Sequence, residues 1–322
     1  MRAPADPPLS LLILAARQGG LVDVRQCDAE GVGRDQRMRL VRHGLWRRPT
    51  RGVYEPAPRD ALGYDERRER AAWLGLLAYG PDAISVGTSA IALHRLRGLP
   101  VTITPQVTLP GGRSAASRDG IRVRHFDRFE VWRCGSRRVA APLDALVQGL
   151  PDLPRENAVG VLDLALNAGA ITADDVASVR ERMAGRRGAV RLAPWWSLVD
   201  GRSESLLETS ARLDCIDHGC PPDELQLPIV GPDGRFAGRA DLAWRLRNGR
   251  WLVAEIDGRE VHDAPEALFK DRHRQNALIT SGIADVLRFT ARDTHRRGTI
   301  PTTIIEAKKA DAARTRQPPH AP

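Results

Sequence analysis

Two adjacent predicted β-strands that carry three carboxylates constrain this fold more than any other stretch of the sequence. Glu255 and Asp257 lie two residues apart on the second strand, so both face the same side of a sheet. Asp241 on the first strand reaches that side only if the connecting loop has the right length, because a two-residue loop sends it to the opposite face. The three-residue loop 247–249 pairs Asp241 with Glu255, and Gly249 suits the left-handed position at the end of such a loop. The sequence therefore predicts this loop and a cluster of three acids.

Three carboxylates on one face of a hairpin repel one another unless a cation or a basic side chain neutralises them. A hard divalent cation such as Mg²⁺ binds oxygen ligands of this kind. Once bound, it activates a water molecule and stabilises charge on a phosphodiester. A solvent-facing acidic edge that pairs with Arg239 or Arg245 explains the same residues. The motif by itself leaves both interpretations open.

Asp241, the run Glu255-Ile256-Asp257-Gly258 and His262 stand in an order that resembles the core of the PD-(D/E)XK nuclease superfamily. The similarity is to the branch of very-short-patch-repair endonucleases, and it spans residues 201–295. The flanking motifs that extend it are Ser205-Leu206-Leu207-Glu208, Gly219-Cys220-Pro221-Pro222, Asp271-Arg272-His273-Arg274 and Val286-Leu287-Arg288-Phe289-Thr290. The resemblance implies a mixed sheet flanked by helices and Mg²⁺-dependent cleavage of phosphodiester bonds.

The resemblance also implies a role for each acid of the hairpin. It places Asp241 and Glu255 at the metal-ligand positions, and Asp257 would complete the metal shell. Asp257 stands where the superfamily usually has lysine, and this departure removes the usual water-orienting cation. His262 is then the candidate proton acceptor, and Lys270 on the next predicted helix is a weaker candidate.

Glu208 and the basic helix after the acids each have two interpretations. The resemblance places Glu208 at the helical acid before the sheet, in contact with a metal or a water molecule. Its spacing from Ser205 is also that of a capping box, in which Glu208 bonds back to the Ser205 amide. On the helix predicted over 265–282, Lys270 and Arg274 either hold a DNA backbone or lie on a solvated face.

The N-terminal region predicts a winged helix-turn-helix. Three short helices are expected at 9–16, 23–30 and 34–43, separated by glycines that end them. Two short helices around a glycine-containing turn are typical of the helix-turn-helix. Residues 45–54 are expected to form a β-hairpin wing.

The third of these helices divides into an inward and an outward side. Met38, Val41 and Leu45 fall on one side and are expected to pack inward. The predicted DNA contacts are Gln36, Arg39 and His43 to base edges, and Arg42, Arg47, Arg48 and Arg51 to phosphates. A solvated basic helix or a small protein-contact domain is the alternative.

The stretch that ends in Arg51-Gly52-Val53-Tyr54 resembles the winged N-terminal domain of AbiEi-type antitoxins of type IV toxin–antitoxin systems. The resemblance covers the first fifth of the chain. It implies transcriptional or DNA-targeting work, and it allows a toxin as a partner protein.

The charge of the whole chain favours a polyanionic partner. The 322 residues carry a formal net charge of +9, and the pI is about 10.2. DNA is the simplest such partner.

The four cysteines contain no CxxC pair, so no zinc site is expected and reduced thiols are the simple interpretation. No segment has the length and composition of a membrane span or a signal peptide, so a cytoplasmic protein is expected.

The chain is long enough for several domains, and its composition predicts four segments. They are a winged helix-turn-helix at 1–58, a middle α+β scaffold module at 59–200, a PD-(D/E)XK-like domain at 201–300 and a disordered tail at 301–322. The middle module is expected to contain helices from residue 66 and over 84–96 and 142–184, with strands at 101–109, 121–125 and 129–133. The fold class is therefore a multidomain α/β protein whose terminal domain holds a restriction-endonuclease-like mixed sheet flanked by helices.

Two functions are compatible with these features, and the first is preferred. The first is a DNA endonuclease, in which the winged domain delivers an Mg²⁺-dependent site to DNA. The second is a non-enzymatic, antitoxin-type regulator whose nuclease-like domain has lost activity. The missing lysine favours the regulator, whereas the presence of all three acids favours the nuclease, because an acidic face without a cation would repel phosphates.

Overall fold

The computed structural model describes residues 7–112, 115–230, 234, 236–257 and 284–316. The chain divides into two compact units. The first joins Met1–Ala158 to Ile171–Trp196, and the second joins Val159–Ala170 to Ser197–Pro322. The boundaries expected at residues 58 and 200 stay predictions.

The first unit begins with a winged helix-turn-helix. Its helices are α1 (Leu9–Ala16), α2 (Val24–Ala29) and α3 (Arg34–Arg42), and its strands are β1 (Val22–Asp23), β2 (Arg47–Thr50) and β3 (Val53–Glu55). The strands form an antiparallel sheet in the order β1-β3-β2. The three helices and the wing hairpin are thus confirmed, and β1 adds a strand that was not expected.

Local chemistry sets the ends of these short helices. The Asp23 carboxylate accepts a hydrogen bond from the Gln26 amide at 2.9 Å, and the Gln26 side chain accepts one from the Asp23 amide at 2.9 Å. This reciprocal capping box starts α2. Gly44 follows α3 with a φ of 70°, a left-handed value that glycine adopts at little cost.

The core of the winged domain lies between its helices and the wing. Leu11 and Ala15 of α1, Cys27 of α2 and Leu40 of α3 are buried in one cluster with Trp46 and Tyr54. The rings of Trp46 and Tyr54 are 6.0 Å apart. The hydrophobic effect therefore fixes the wing against the helices.

The rest of the first unit is an α+β module. Its helices are α4 (Tyr64–Tyr79), α5 (Gly87–Leu93), α6 (Pro142–Gly149), the first residues of α7 (Arg155–Asn167), α8 (Ala173–Met183) and α9 (Ala189–Leu192). Its strands are β4 (Ile84–Ser85), β5 (Gln106–Thr108), β6 (Arg122–Val123), β7 (Val131–Cys134) and β8 (Arg137–Ala140). They form a five-stranded mixed sheet in the order β6-β5-β4-β8-β7.

The helix predicted over 84–96 is wrong at its start. Ile84 and Ser85 form the central strand β4, which pairs with β5 on one side and β8 on the other. The helix begins only at Gly87. A short apolar run followed by a helix has no period of its own, so the sheet partners decide its conformation.

The second unit is built on a four-stranded mixed sheet. Its strands are β9 (Glu224–Val230), β10 (Phe236–Arg245), β11 (Trp251–Asp257) and β12 (Ala284–Thr290), and its helices include α10 (Leu206–Asp217), α11 (Ala291–Thr294) and α12 (Thr299–Arg316). The strand order is β12-β11-β10-β9; β11 and β12 are parallel, and the other neighbours are antiparallel. The expected mixed sheet is confirmed, whereas a nuclease fold in particular stays a proposal.

Alternate residues of the central strands belong to different apolar clusters. Leu242, Trp244 and Ala254 pack with residues of α10 and α12. Ala243 and Val253, one position along, belong to a second cluster with Ile229 of β9. The period of two therefore separates the two faces of the sheet.

The disordered tail predicted over 301–322 is wrong for the part that the structure describes. Residues up to Arg316 belong to α12, whose Ile300 and Ile304 are fully buried in the core. Asp311 of the same helix accepts hydrogen bonds from the Arg247 amide and the Asn248 side chain, at 3.1 and 2.7 Å. Tertiary packing thus orders a segment whose charge and composition suggested disorder. Residues 317–322 lie outside the described residues.

A buried ion pair lies inside the second unit. Asp163 of α7 is 0 % exposed and accepts hydrogen bonds from the Arg212 guanidinium at 2.8 Å, the Thr209 hydroxyl at 2.8 Å and the Asp200 amide at 2.7 Å. Burial raises the pKa of Asp163 to about 6, against the lowering effect of Arg212. The fold therefore tolerates a buried carboxylate only because several donors surround it.

Candidate functional site

The third helix of the winged domain presents polar side chains to solvent, as expected. Arg39, Arg42 and His43 are exposed, and Gln36 is half-buried. Arg42 also makes a long contact from its Nε to the Met38 carbonyl at 3.4 Å. The predicted base-facing and phosphate-facing residues of this helix thus remain available to a ligand.

The predicted inward side of this helix needs correction. Leu45 is 49 % exposed and Met38 is only partly buried, whereas Val41, also partly buried, packs against the core as expected. The buried residues of the helix are instead Arg37 and Leu40. Trp46 takes the core position that Leu45 was expected to fill, because the chain turns at Gly44 before it enters the wing.

Arg37 is an arginine that supports the helix-turn-helix from inside. Its side chain is 4 % exposed, lies over the Tyr54 ring at 5.5 Å, and donates to the Val32 carbonyl at 2.6 Å and to the Asp28 carboxylate. Burial by itself lowers the pKa of Arg37, but the hydrogen bonds to Asp28 and Tyr54 raise the pKa above its usual value. Arg37 therefore acts as a structural cation and not as a DNA contact.

The wing carries the remaining predicted phosphate contacts. Arg47, Arg48 and Arg51 are exposed. Arg47 donates to the Asp60 carboxylate at 2.7 Å, so part of its charge is already paired. Arg48 and Arg51 are consequently the stronger candidates on the wing.

The loop between the acid-bearing strands has the predicted length. Arg245 pairs with Trp251, and the Leu246 amide donates to the Arg250 carbonyl at 2.9 Å, which leaves Arg247, Asn248 and Gly249 as the loop. Gly249 has a φ of 80°, as such a loop requires. The three-residue loop and its register are therefore confirmed.

Asp241 lies where the two strands part. The pairing of β10 with β11 runs from Arg245–Trp251 to Leu242–Ala254. Beyond it, the Ile256 amide donates to the Asp241 carboxylate at 2.8 Å. This amide lies between Glu255 and Asp257 in the chain, so Asp241 is brought to the segment that holds the other two acids.

Glu255 and Asp257 differ in their surroundings. Glu255 is partly buried and pairs with Arg288 of the parallel strand β12 at 2.8 Å. Asp257 is exposed at the end of β11. Arg288 is thus a counter-charge that sequence reasoning did not assign, although the quoted run Val286–Thr290 contained it. Of the two arginines considered as partners, Arg245 stacks over Trp251 at 4.0 Å, and Arg239 pairs with Glu204 at 2.7 Å.

Glu208 helps to begin α10, and its contact with a metal or a water molecule stays a prediction. The Ser205 hydroxyl accepts from the Glu208 amide at 3.2 Å, which caps α10. The Glu208 carboxylate accepts from the Glu204 amide and from the Gln226 side chain, each at 2.8 Å. The Glu208 carboxylate therefore accepts from the Glu204 amide and not, as the capping box predicted, from the Ser205 amide. Burial raises the pKa of Glu208, although these hydrogen bonds oppose the rise.

The donor chemistry of this region suits a hard cation in part. Asp241 and Glu255 supply carboxylate oxygens, and β9 places Gln226 beside Asp241, since its neighbours pair with Leu242 and Ala240. The Gln226 Oε1 atom is buried and has no hydrogen-bond partner among the described residues. Oxygen donors of this kind suit Mg²⁺. No group of three His, Cys, Asp or Glu side chains within the described ranges is close enough to hold a metal, so the three-acid metal cluster predicted for Asp241, Glu255 and Asp257 is not formed.

Three predicted site residues fall on the part of the chain that is not described. They are His262, Lys270 and Arg274, all within residues 258–283. Their proposed roles in proton transfer and in DNA contact stay predictions.

Across the described ranges, no helix combines the length and the apolar composition that a bilayer crossing needs.

Comparison with known proteins identifies the N-terminal domain and the wider family. Residues 10–57 match the family described as transcriptional regulator, AbiEi antitoxin. Two relatives are the uncharacterized protein MT2308 of Mycobacterium tuberculosis (strain CDC 1551 / Oshkosh) and the uncharacterized protein Rv2248 of Mycobacterium tuberculosis (strain ATCC 25618 / H37Rv). Each is 31 % identical over 242 residues, which covers 75 % of this chain and 84 % of the relative. The chain therefore belongs to the family of these two mycobacterial proteins, and its residues 10–57 are similar to the AbiEi antitoxin family of transcriptional regulators.

Proposed function

We propose that the protein binds double-stranded DNA through its winged helix-turn-helix and works as a regulator of the antitoxin type. The observation that carries the proposal is the position of the arginines. Arg39 and Arg42 of α3 and Arg48 and Arg51 of the wing all face solvent, while Arg37 is turned into the core. In winged domains the third helix enters the major groove, and basic residues beside it hold the phosphates.

The net charge of +9 supports the same partner. Phosphate contacts give an affinity that falls steeply with salt, because bound cations are released from DNA. The antitoxin domain also makes a toxin a candidate protein partner. Binding to DNA comes first in the proposal, since the exposed arginines point to it directly.

Replacement of both Arg48 and Arg51 by alanine tests this assignment. Each phosphate contact contributes about 0.9 to the slope of log affinity against log salt. The double variant is therefore expected to lower that slope by about 1.8 and to weaken binding to a mixed-sequence duplex. Fluorescence anisotropy at several salt concentrations measures both quantities.

Arg180→Ala is the matched control, because Arg180 is an exposed arginine on α8, outside residues 10–57. It should leave the slope at the wild-type value. An Arg48/Arg51 double variant with an unchanged slope would remove the wing from the interface. A wild-type protein without affinity for duplex DNA at low salt would remove the proposed function.

The position of Asp241 favours a second candidate function, metal-dependent cleavage of DNA. Asp241 and Glu255 would be the ligands of Mg²⁺, and Asp257, which does not form a three-acid group with them in the described structure, would have to move to join them. Glu208 and His262 are further candidates for water contact and proton transfer. Mg²⁺, when bound, would activate a water molecule and stabilise charge on the phosphate. The hydrogen bond from the Ile256 amide orients Asp241, and Arg288 orients Glu255.

Loss of nicking in Asp241→Asn and Glu255→Gln variants would test this second candidate. We expect metal-dependent nicking of plasmid DNA in Mg²⁺ or Mn²⁺, no nicking in EDTA, and a loss of at least about 100-fold in each variant. The Asp241→Asn variant keeps an oxygen that can accept from the Ile256 amide, so the fold should be retained.

Glu224→Gln is the control, because Glu224 is an exposed acid at the start of β9. It should nick at the wild-type rate. DNA binding without any metal-dependent nicking would exclude the endonuclease and leave the regulator. Residual nicking in both variants would point to a contaminating nuclease.

A further inference from the structure

The tip of the DNA-binding wing is held by a turn from another part of the first unit. The turn runs from Arg118 to Ile121, whose backbones exchange hydrogen bonds of 3.2 and 2.8 Å. At its corner, Asp119 has a φ of 52°. Only a few per cent of non-glycine residues adopt this left-handed conformation, and aspartate adopts it more readily than most.

The Asp119 carboxylate contacts the wing at two successive residues. It accepts a hydrogen bond from the hydroxyl of Thr50, at the end of β2. The Arg51 backbone also donates to it. These hydrogen bonds, that of Thr50 first, lower the pKa of Asp119, so the carboxylate is charged at neutral pH.

Arg118 ties this turn to helix α4. One guanidinium nitrogen, Nη1, lies 3.1 Å from the Asp119 carboxylate and 3.4 Å from the Thr50 hydroxyl oxygen. The other, Nη2, donates to the Ala78 carbonyl at 2.8 Å, and the guanidinium stacks over the Tyr79 ring at 5.2 Å. The wing tip is therefore connected through Asp119 and Arg118 to a long helix with its own core.

An exposed carboxylate beside a DNA-binding wing needs a reason, because it repels phosphates. The Asp119 side chain is 45 % exposed, and Arg51, which it holds, is one of the two stronger phosphate candidates. Asp119 combines a left-handed backbone with a hydrogen bond to Thr50, a residue 69 positions away in the sequence. Local backbone strain of this kind often marks a functional position. These features indicate that the contacts of Asp119 with the wing favour DNA binding by more than its negative charge opposes it.

We propose that Asp119 is a positioning residue for DNA binding, which fixes residues 50–52 so that Arg48 and Arg51 meet the phosphate backbone without further ordering. The proposal rests on the proposed DNA-binding function. A wing held in its binding conformation before DNA arrives loses less conformational entropy on association. The α+β module thus acts as part of the DNA reader.

Two substitutions at Asp119 separate positioning from charge. Asp119→Gly keeps the left-handed backbone and removes the acceptor, whereas Asp119→Asn keeps an oxygen acceptor and tolerates the same backbone. Both remove a negative charge, so a purely electrostatic role predicts that both bind DNA more tightly. We expect Asp119→Gly to bind roughly tenfold more weakly than wild type and Asp119→Asn to bind at least as tightly as wild type. Anisotropy titrations measure the two affinities.

A second measurement decides the inference even if the protein has no affinity for DNA. Hydrogen exchange of the Arg51 and Gly52 amides in the protein alone should be faster in Asp119→Gly than in wild type and near wild type in Asp119→Asn. Thr50→Val, which removes the hydroxyl donor, should speed exchange as much as Asp119→Gly does. The double variant should exchange little faster than either single variant. Unchanged exchange, or tighter DNA binding by Asp119→Gly, would overturn the inference. Failure of the wild type to bind DNA would overturn the proposed function and leave exchange to decide the role of Asp119.

Discussion

Replacement of Arg212 by methionine is expected to lower the free energy of unfolding by about 3–5 kcal/mol above neutral pH. Arg212 is buried and donates to Asp163, which is itself fully buried. The substitution leaves a carboxylate without its counter-charge in the interior of the second unit. Breaking a buried pair in this way is far more costly than breaking one at the surface.

The loss should depend on pH in a defined direction. Burial raises the pKa of Asp163 from 3.8 to about 6 in the folded protein. The folded state thus holds a proton that the unfolded chain has already released, and the free energy of unfolding falls as the pH rises towards 6. Without Arg212 the pKa rises further, so the fall continues to higher pH. The difference between variant and wild type should therefore shrink below pH 6 and grow above it.

Urea denaturation across this pH range measures the effect. Arg297→Met is the control, because Arg297 is 67 % exposed and pairs with Asp217 at 2.6 Å on the surface. It should change the free energy of unfolding by at most about 1 kcal/mol. A double variant with Arg212→Met and Asp163→Leu should recover most of the loss, since apolar residues can replace a buried pair. An Arg212→Met loss that does not vary with pH would contradict the role assigned to Asp163.

Replacement of Trp46 by alanine is expected to cost about 3–5 kcal/mol in the winged domain. Trp46 is 2 % exposed and packs between helix α3, helix α1 and Tyr54 of the wing. Truncation leaves a cavity where the helices and the wing meet. The arginines of the wing would then lose their support, so DNA binding should weaken together with stability.

Leu45 supplies a neighbouring control for this prediction. Its side chain is 49 % exposed, so Leu45→Ala should change the free energy of unfolding by no more than about 0.5 kcal/mol. Trp46→Phe should be milder than Trp46→Ala, because the indole nitrogen of Trp46 is buried without a partner in the described chain. Thermal or chemical denaturation of the three variants compares them. Equal losses for Leu45→Ala and Trp46→Ala would show that the assigned core is wrong.

Local signals in the sequence predicted much of this structure. Glycines marked the ends of the first helices, and the parity argument at Gly249 gave the loop between the acid-bearing strands. Each of these features depends on backbone conformation or on a short repeat of side chains, which neighbouring residues control.

Features that depend on distant partners were missed. The rotation of α3 that buries Arg37 is set by Asp28 and Tyr54, and no helical periodicity favours a buried arginine. Helix α12 is ordered by the core around Ile300 and Ile304. Arg288 meets Glu255 only because β11 and β12 are parallel, a pairing that the spacing of the acids does not reveal. Of the candidate site, the sequence thus predicted the exposed arginines and the loop that brings Asp241 towards Ile256, but not the residues that orient the acids.

The division of the chain also has a consequence for how such a protein can be rearranged in evolution. The first unit is interrupted by Val159–Ala170, which belongs to the second unit, and it continues over Ile171–Trp196. The rest of the second unit follows from Ser197. An exchange of genes that cuts once near residue 200 would separate the inserted segment from the body to which it belongs. Inheritance of the two units as one piece is then the simplest outcome, and transfer of either unit alone would require several recombination junctions.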